Sequence, residues 1–122
     1  MENEKKSILV VEDDKLILRA FKGVLQKNGY IVDTAETGNQ AIQKIRAKDY
    51  DVAILDITLP DISGIELLQK IPRETSSMLK IVMAEFSAKE MGQLAADSGA
   101  DEYLVKPVSH QELLKLLKDL FS

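Results

Sequence analysis

Charged side chains follow three short apolar runs of this chain, at the point where each run ends. They are Glu12, Asp13 and Asp14 after Ile8–Val11, Asp56 after Val52–Leu55, and Lys106 after Tyr103–Val105. In a parallel α/β sheet the carboxyl ends of the strands lie along one edge, where such folds place their sites. If these runs are parallel strands, carboxylates from two strands lie beside a lysine from a third. Divalent-metal binding and phosphoryl chemistry both use that arrangement.

The acidic group after the first run is typical of a site for a hard cation. Mg²⁺ takes oxygen ligands and keeps several waters, so one or two carboxylates plus a substrate phosphate suffice. Glu12 and Asp13 are the first candidates, because like charges at the end of a buried strand repel unless a positive charge is close. For Asp14 a structural role is at least as strong, since a carboxylate at that position caps a helix.

Asp56 is a candidate nucleophile as well as a candidate ligand. An Asp after a strand usually forms a turn or caps a helix, but the next capping sequence begins only at Ser63. A carboxylate beside a divalent cation can instead attack a phosphoryl group and form an acyl phosphate. Lys106 can pair with Asp56 or with phosphoryl oxygens as a point charge. Pro107 restricts Lys106 to extended backbone, which aims its side chain along the strand end.

Strand-like and helix-like segments alternate along the chain and would position these groups. The predicted strands are Ser7–Val11, Tyr30–Ala35, Asp51–Leu55, Leu79–Met83 and Glu102–Val105. The predicted helices are Lys15–Asn28, Gln40–Ala47, Ile65–Ile71, Glu90–Asp97 and Leu113–Phe121. Short β-branched runs are typical of strands buried on both faces, and apolar residues every three or four positions are typical of helices. This alternation predicts an α/β fold, a doubly wound parallel sheet of five strands covered by five helices.

Four of the predicted helix starts carry the same Ser/Thr-x-x-Glu/Gln capping box. The pairs are Thr37/Gln40, Ser63/Glu66, Ser87/Glu90 and Ser109/Glu112. In this motif the hydroxyl accepts a hydrogen bond from an early backbone N–H, and the acid or amide reaches back toward the cap. The capping boxes agree with the apolar periodicity and support the predicted helix starts.

The composition predicts one soluble domain that covers residues 1–122. The length allows a real core but not two domains. The absence of Cys excludes disulfides, and the net charge of −4 argues against non-specific nucleic-acid binding. No apolar stretch approaches the roughly 20 residues that a membrane helix needs, and the first residues show no signal-peptide pattern. We therefore expect a cytoplasmic protein that contacts neither membrane nor nucleic acid directly.

Three segments of the chain resemble the receiver domain of two-component response regulators. They are ILVVEDD near the N-terminus, DVAILDITLPDISGIEL in the middle and GADEYLVKP near the C-terminus. The resemblance covers nearly the whole chain and implies a flavodoxin-like three-layer sandwich with strand order 2-1-3-4-5. It also implies that Asp56 accepts a phosphoryl group from a phosphohistidine and that Lys106 contacts that group, with the bond to Pro107 cis.

The same resemblance implies a Mg²⁺ site and identifies its ligands. Asp13 and Asp56 would be ligands, Glu12 would bind mainly through water, and the backbone carbonyl of Thr58 would complete the set. Glu12 stands where many members have Asp, which leaves the metal role intact. Pro60 and Gly64 match the family's loop after the phosphoacceptor.

The fourth strand departs from the family pattern at its end. The family normally has Thr or Ser there, whose hydroxyl bonds a phosphoryl oxygen, and the spacing back from Lys106 places Ala84 at that position. Glu85 follows where the family has a small residue, while Tyr103 matches the aromatic switch position. Ser87 is a weak substitute, because Glu90 gives it a complete capping role. We expect phosphorylation to persist and its coupling to Tyr103 to be weak or altered.

Two hypotheses about partners and output follow from these residues. In the first, the chain is a non-enzymatic phosphoacceptor that takes its phosphoryl group from a histidine kinase or phosphotransfer protein. Its output then passes through protein contacts or through a domain absent from this sequence, and the face of helix 4, strand 5 and helix 5 is where the resemblance places partner or dimer contacts. In the second, the domain binds partners without switching, as Ala84 and Glu85 suggest.

A phosphohydrolase that acts through an aspartyl phosphate is a third class of function. It would need a separate acid–base residue, and none is evident in the sequence.

Overall fold

The computed structural model describes residues 5–72, 77–85 and 89–122. Its strands are β1 (Ser7–Val11), β2 (Ile31–Ala35), β3 (Val52–Asp56), β4 (Leu79–Ala84) and β5 (Glu102–Val105). Its helices are α1 (Lys15–Lys27), α2 (Gly38–Ala47), α3 (Gly64–Lys70), α4 (Lys89–Asp97) and α5 (His110–Phe121). The strict alternation of strand and helix that the sequence predicts is confirmed.

The five strands form one parallel sheet in the order β2-β1-β3-β4-β5. Parallel neighbours need crossover connections, and helices α1 to α4 supply them, while α5 follows the last strand. The order reverses direction beside β1, so the carboxyl ends of β1 and β3 flank the point where such folds open a crevice. The predicted fold class and strand order are both confirmed.

Two hydrophobic cores lie on opposite faces of the sheet, as alternate residues of β1 show. Ile8 and Val10 pack with Phe21 of α1 and Leu113 of α5. Leu9 and Val11 point to the other face, where α2, α3 and α4 contribute apolar side chains. Because successive strand residues alternate between faces, β1 reads as a continuous apolar run.

Several boundaries differ from the predicted ones by one to three residues. The fifth helix begins at His110 rather than Leu113, because its first turn is polar and carries no apolar periodicity. The third strand includes Asp56, and the third helix begins at Gly64. Thr37, Ser63 and Ser109 accept hydrogen bonds from backbone N–H groups as N-caps, which confirms three of the capping hydroxyls. The fourth, Ser87, lies outside the described residues.

Candidate functional site

The strand ends bring the predicted charged residues together at the carboxyl edge of the sheet. Asp56 is the last residue of β3 and lies in register with Met83 of β4. Glu12 directly follows β1, and its backbone N–H donates to the carbonyl of Ala35 at 3.0 Å. Lys106 directly follows β5. The backbone hydrogen bonds between neighbouring strands therefore fix the backbone position of each of these residues.

Lys106 bridges the two buried carboxylates of the site. Its Nζ lies 2.7 Å from Asp56 Oδ2 and 3.4 Å from Glu12 Oε1. Glu12 and Asp56 are 1% and 3% exposed, whereas the lysine side chain retains 20% of its exposure. A cation from β5 thus partly compensates acids from β1 and β3, as the sequence predicts.

Backbone N–H groups hold the remaining oxygens of these two acids. The N–H of Asp14 donates to Glu12 Oε2 at 3.1 Å, and the N–H of Thr58 donates to Asp56 Oδ1 at 3.1 Å. Each carboxylate therefore has one oxygen toward Lys106 and the other fixed by its own following loop. This fixes both carboxylates in place before any ligand binds.

Burial and crowding shift the titration of the pocket. Burial, with a smaller contribution from the neighbouring Asp56, raises the pKa of Glu12 to about 7 against the opposing effects of the Asp14 N–H and Lys106. Burial lowers the pKa of Lys106, but Asp56 and Glu12 outweigh it, so that pKa lies above its ordinary value. Lys106 is thus held as a cation, while the pocket is crowded with negative charge.

Glu12, Asp13 and Asp56 form a cluster with the chemistry of a hard-cation site. One carboxylate oxygen from each lies within 4.8 Å of the other two. Two of the acids are buried, and Asp13 is exposed at the mouth of the pocket. Oxygen-only donors at this spacing fit Mg²⁺, which combines few protein oxygens with several waters.

The loop between β3 and α3 closes tightly behind Asp56. Thr58 and Ser63 pair as an antiparallel bridge, and the N–H of Gly64 donates to the carbonyl of Ile57 at 2.7 Å. A Cβ at Gly64 would lie 2.6 Å from the Asp56 carbonyl oxygen, so only glycine fits there. Thr58, the predicted carbonyl ligand, therefore sits on a constrained turn beside the acidic cluster.

The remaining predicted residues fall at the edges of the pocket. Asp14 is the N-cap of α1, because its Oδ1 accepts from the N–H groups of Leu16 and Ile17 at 2.9 and 3.2 Å. Its structural interpretation, one of two left open by the sequence, is thus the one that the geometry supports. The peptide bond between Lys106 and Pro107 is cis.

Ala84, the last residue of β4, has no side-chain hydroxyl. Ala84 is 1% exposed, pairs with Val105, and its carbonyl accepts from the Lys106 N–H at 2.7 Å. Glu85 follows it and is exposed. Tyr103 is half-buried and packs at the edge of the core that α4 helps to form.

Sequence reasoning missed Asp61, which lies on the β3–α3 loop. Its two carboxylate oxygens accept from the N–H groups of Gly38 and Asn39 at 2.8 and 2.9 Å. The acceptor and its donors are 22 and 23 positions apart, so no local pattern could have paired them. The Pro-Asp pair at residues 60–61, in the loop that follows the third predicted strand, is the one signal that the sequence carried.

The fold and the pocket together define a class of protein. It is the small flavodoxin-like α/β domain with an acidic, lysine-paired pocket at the carboxyl edge of its sheet. A sequence profile described as the response regulator receiver domain matches residues 8–118. The chain belongs to this family of two-component signalling domains.

Individual relatives agree with this assignment. The chain is 34% identical to the response regulator ArlR of Staphylococcus epidermidis over 112 residues, which cover 92% of this chain and 51% of that protein. A CheY-like receiver domain protein from Methanospirillum hungatei superposes with a TM-score of 0.91 at 36% identity, covering 96% of this chain and 94% of that one. TrrA from Thermotoga maritima, solved in complex with Mg²⁺-BeF, gives 0.83 at 38% identity, covering 94% and 98%.

The chain spans about half the length, or less, of the curated relatives that it matches. Among the described residues, no helix is both long enough and apolar enough to span a bilayer.

Proposed function

We propose that this domain is a Mg²⁺-dependent phosphoacceptor that takes a phosphoryl group on Asp56. The observation that carries the proposal is the geometry around that carboxylate. Asp56 is buried, one oxygen contacts Lys106 at 2.7 Å, and an oxygen of the same carboxyl lies within 4.8 Å of oxygens from Glu12 and Asp13. The structure of TrrA, a relative of this chain, was solved in complex with Mg²⁺-BeF.

The residues of the pocket divide the work of phosphoryl transfer. An Asp56 oxygen would form the new O–P bond as the P–N bond of a phosphohistidine breaks, and the donor imidazole would leave with the electron pair. Lys106 would neutralise charge on the incoming phosphoryl oxygens. Glu12, Asp13, Asp56 and the Thr58 carbonyl would hold Mg²⁺, which offsets charge between nucleophile and phosphoryl group. The product is a signalling state of the domain, so we propose no enzymatic turnover of an external substrate.

The partner that fits this chemistry is a histidine kinase or a phosphotransfer protein. Leu16 stands 76% exposed on α1, directly beside the acidic residues. A largely apolar groove of about 470 Å³ lies between α1 and the start of α5 and includes Phe21, Lys106 and Val108. For output we propose protein contacts through α4, β5 and α5, where Leu94 and Val105 are exposed apolar residues.

Intact mass spectrometry tests the acceptor role directly. The protein is incubated with Mg²⁺ and a small phosphodonor such as acetyl phosphate, with and without a chelator. We expect one added phosphoryl mass on the wild type, its loss with the chelator, and its loss on Asp56→Asn. Asp101→Asn, an exposed acid at the opposite edge of the sheet, is the matched control. Modification of Asp56→Asn to the wild-type extent would refute the proposal.

A second candidate function is constitutive partner binding without a phosphorylation-dependent switch, and Ala84 favours it. A hydrogen bond to a charged group contributes about 1.5–3 kcal/mol, and Ala84, the buried last residue of β4, has no hydroxyl to make one. We propose that phosphorylation is intact while Tyr103 responds weakly to it.

A pair of variants separates the two candidates. Ala84→Thr introduces the hydroxyl, and Ala84→Val introduces the same shape without it. With Mg²⁺ and beryllofluoride, we expect the NMR signals of the Tyr103 ring to shift in Ala84→Thr and to stay nearly unchanged in the wild type and Ala84→Val. A full shift in the wild type would contradict the second candidate, and equal shifts in both variants would assign the effect to packing.

A further inference from the structure

The loop that carries Thr58 is fastened to the start of α2 by a single carboxylate. Asp61 Oδ1 accepts from the Gly38 N–H at 2.8 Å, and Oδ2 accepts from the Asn39 N–H at 2.9 Å. Thr37 caps a third N–H of the same helix, that of Gln40. Asp61 therefore satisfies donors that the helix cannot pair internally, although it comes from a different loop.

Close packing reinforces this fastening. A Cβ on Gly38 would lie 2.4 Å from Ile62 Cγ1 and 3.4 Å from Asp61 Oδ1. Glycine at this position lets the loop approach the helix backbone, which a side chain would prevent. The β3–α3 loop therefore packs directly against the first residue of α2.

The charge of Asp61 suits its position. The first turn of a helix carries partial positive charge on its unpaired N–H groups. Slight burial acts to raise the pKa of Asp61, but hydrogen bonds from Gly38 and Asn39 outweigh it and lower that pKa. The carboxylate is thus held ionised and directed at α2.

The other end of the same loop is fixed on the site itself. Thr58 donates to Asp56 Oδ1 and pairs with Ser63, and Gly64 packs against the Asp56 backbone without room for a Cβ. The segment between these anchors contains Asp61. A movement of Asp61 away from α2 would therefore move the turn that holds Thr58.

We propose that Asp61 is a positioning residue for the metal site: its carboxylate, bound to the Gly38 and Asn39 N–H groups, holds the β3–α3 loop so that the Thr58 carbonyl faces the acidic cluster. This inference rests on the proposed Mg²⁺-dependent function. Asp61 itself touches neither metal nor phosphoryl group, since α2 occupies both of its oxygens.

Calorimetric titration of Mg²⁺ into the intact chain tests this role. Removing a residue that orients a ligand typically weakens metal binding 10- to 100-fold, and Asp61 acts one contact further out, so we expect Asp61→Ala to weaken it about 3- to 10-fold. Asp61→Asn retains one acceptor oxygen and should give an intermediate affinity. Asp119→Ala on α5 removes an equal charge far from the site and should bind Mg²⁺ as the wild type does.

Phosphorylation by a small phosphodonor supplies a second readout. In Asp61→Ala we expect the Mg²⁺ concentration for half-maximal rate to rise by the same factor, while the rate at saturating Mg²⁺ stays within about twofold of the wild type. A variant damaged only in stability would lose folded protein but keep its Mg²⁺ dependence. Thermal unfolding measured by circular dichroism identifies that case, and Asp61→Asn tests the role if Asp61→Ala does not fold.

The outcomes separate this inference from the proposed function. If the wild type neither binds Mg²⁺ nor gains phosphoryl mass, the proposed function fails. If the wild type does both, and folded Asp61→Ala and Asp61→Asn bind Mg²⁺ within twofold of it, the function stands and the positioning role of Asp61 is overturned.

Discussion

Lys106 is one cation between two buried acids, and this imbalance explains the chemistry of the pocket. Among the described residues, Glu12 and Asp56 share one ammonium group, at 3.4 and 2.7 Å, and Asp13 adds a third carboxylate at the surface. Buried like charges are costly unless compensated. A divalent cation would neutralise the excess negative charge, so its binding to the pocket would be electrostatically favourable.

At this residue scale, Glu12 makes stability depend on pH. Its pKa is about 7 in the folded domain, against an ordinary value of 4.5. The folded state therefore binds more protons than the unfolded state between these values, and the stability that the proton gives is lost as pH rises through 7. With a chelator present, we expect the wild type to lose up to about 3 kcal/mol from this group between pH 4.5 and 8.

Urea unfolding of Glu12→Gln across the same pH range measures this effect. Glutamine does not titrate, so the difference between wild type and variant isolates Glu12 from the other acids. We expect the free energy of unfolding of the variant, relative to that of the wild type, to increase as pH rises. Glu66→Gln, on the exposed side of α3, should follow the wild type. If the stabilities of the wild type and Glu12→Gln changed in parallel with pH, burial would not raise the pKa of the Glu12 carboxyl.

At the scale of elements, the start of α3 depends on glycine because the helix begins against the strand that carries Asp56. A Cβ on Gly64 would approach the Asp56 carbonyl oxygen to 2.6 Å and Ile57 Cα to 2.7 Å. Both are backbone atoms, so the clash can be relieved only by moving the strand end or the helix. A side chain at position 64 would therefore also displace the strand end that carries Asp56.

Gly64→Ala should destabilise the domain by about 1–3 kcal/mol through overpacking. Gly23→Ala provides the matched control in α1, since no heavy atom outside its own helix lies within 4 Å of the added Cβ. There alanine should stabilise by roughly 0.5–1 kcal/mol, because it restricts the unfolded chain more than glycine. Equilibrium urea unfolding distinguishes the two signs. Equal effects at both positions would mean that the contact at Gly64 is not restrictive.

At the scale of the whole molecule, the sequence predicts the order of elements because each is encoded locally. The capping hydroxyls of Thr37, Ser63 and Ser109 and the apolar alternation of β1 act within a few residues. The acidic cluster was predictable because parallel strands must end at one edge. The resemblance to a known family, rather than these patterns, supplied the strand order.

Contacts between distant segments could not be predicted in the same way. The sequence singled out Lys106 but not how its charge is shared, which depends on the burial of Glu12 and Asp56 together. Asp61 binds donors that are 22 and 23 positions away and are backbone groups without a side-chain signature. Such contacts arise from the packing of finished elements, so they become visible only in the assembled fold.

Metal binding and global stability are linked through this assembled site, since Mg²⁺ would bind the folded chain and not its scattered ligands. At 100 times its Kd, a ligand of the folded state adds about 2.7 kcal/mol, which for a domain of this size raises Tm on the order of 10 °C. We expect the wild-type Tm to rise with the logarithm of Mg²⁺ concentration in differential scanning calorimetry.

Asp13→Asn should separate the metal-dependent part of stability from the intrinsic part. Asp13 is exposed, so its substitution should change metal-free stability by no more than about 0.5 kcal/mol. Because it removes a candidate ligand, the Mg²⁺-dependent rise in Tm should shift to higher concentration or disappear. Asp119→Asn should retain the full rise. A Tm of Asp13→Asn that rises with Mg²⁺ as the wild type's does would contradict a role of the Asp13 carboxylate in the metal site, because any weakening of Mg²⁺ binding reduces the stabilisation at a given Mg²⁺ concentration.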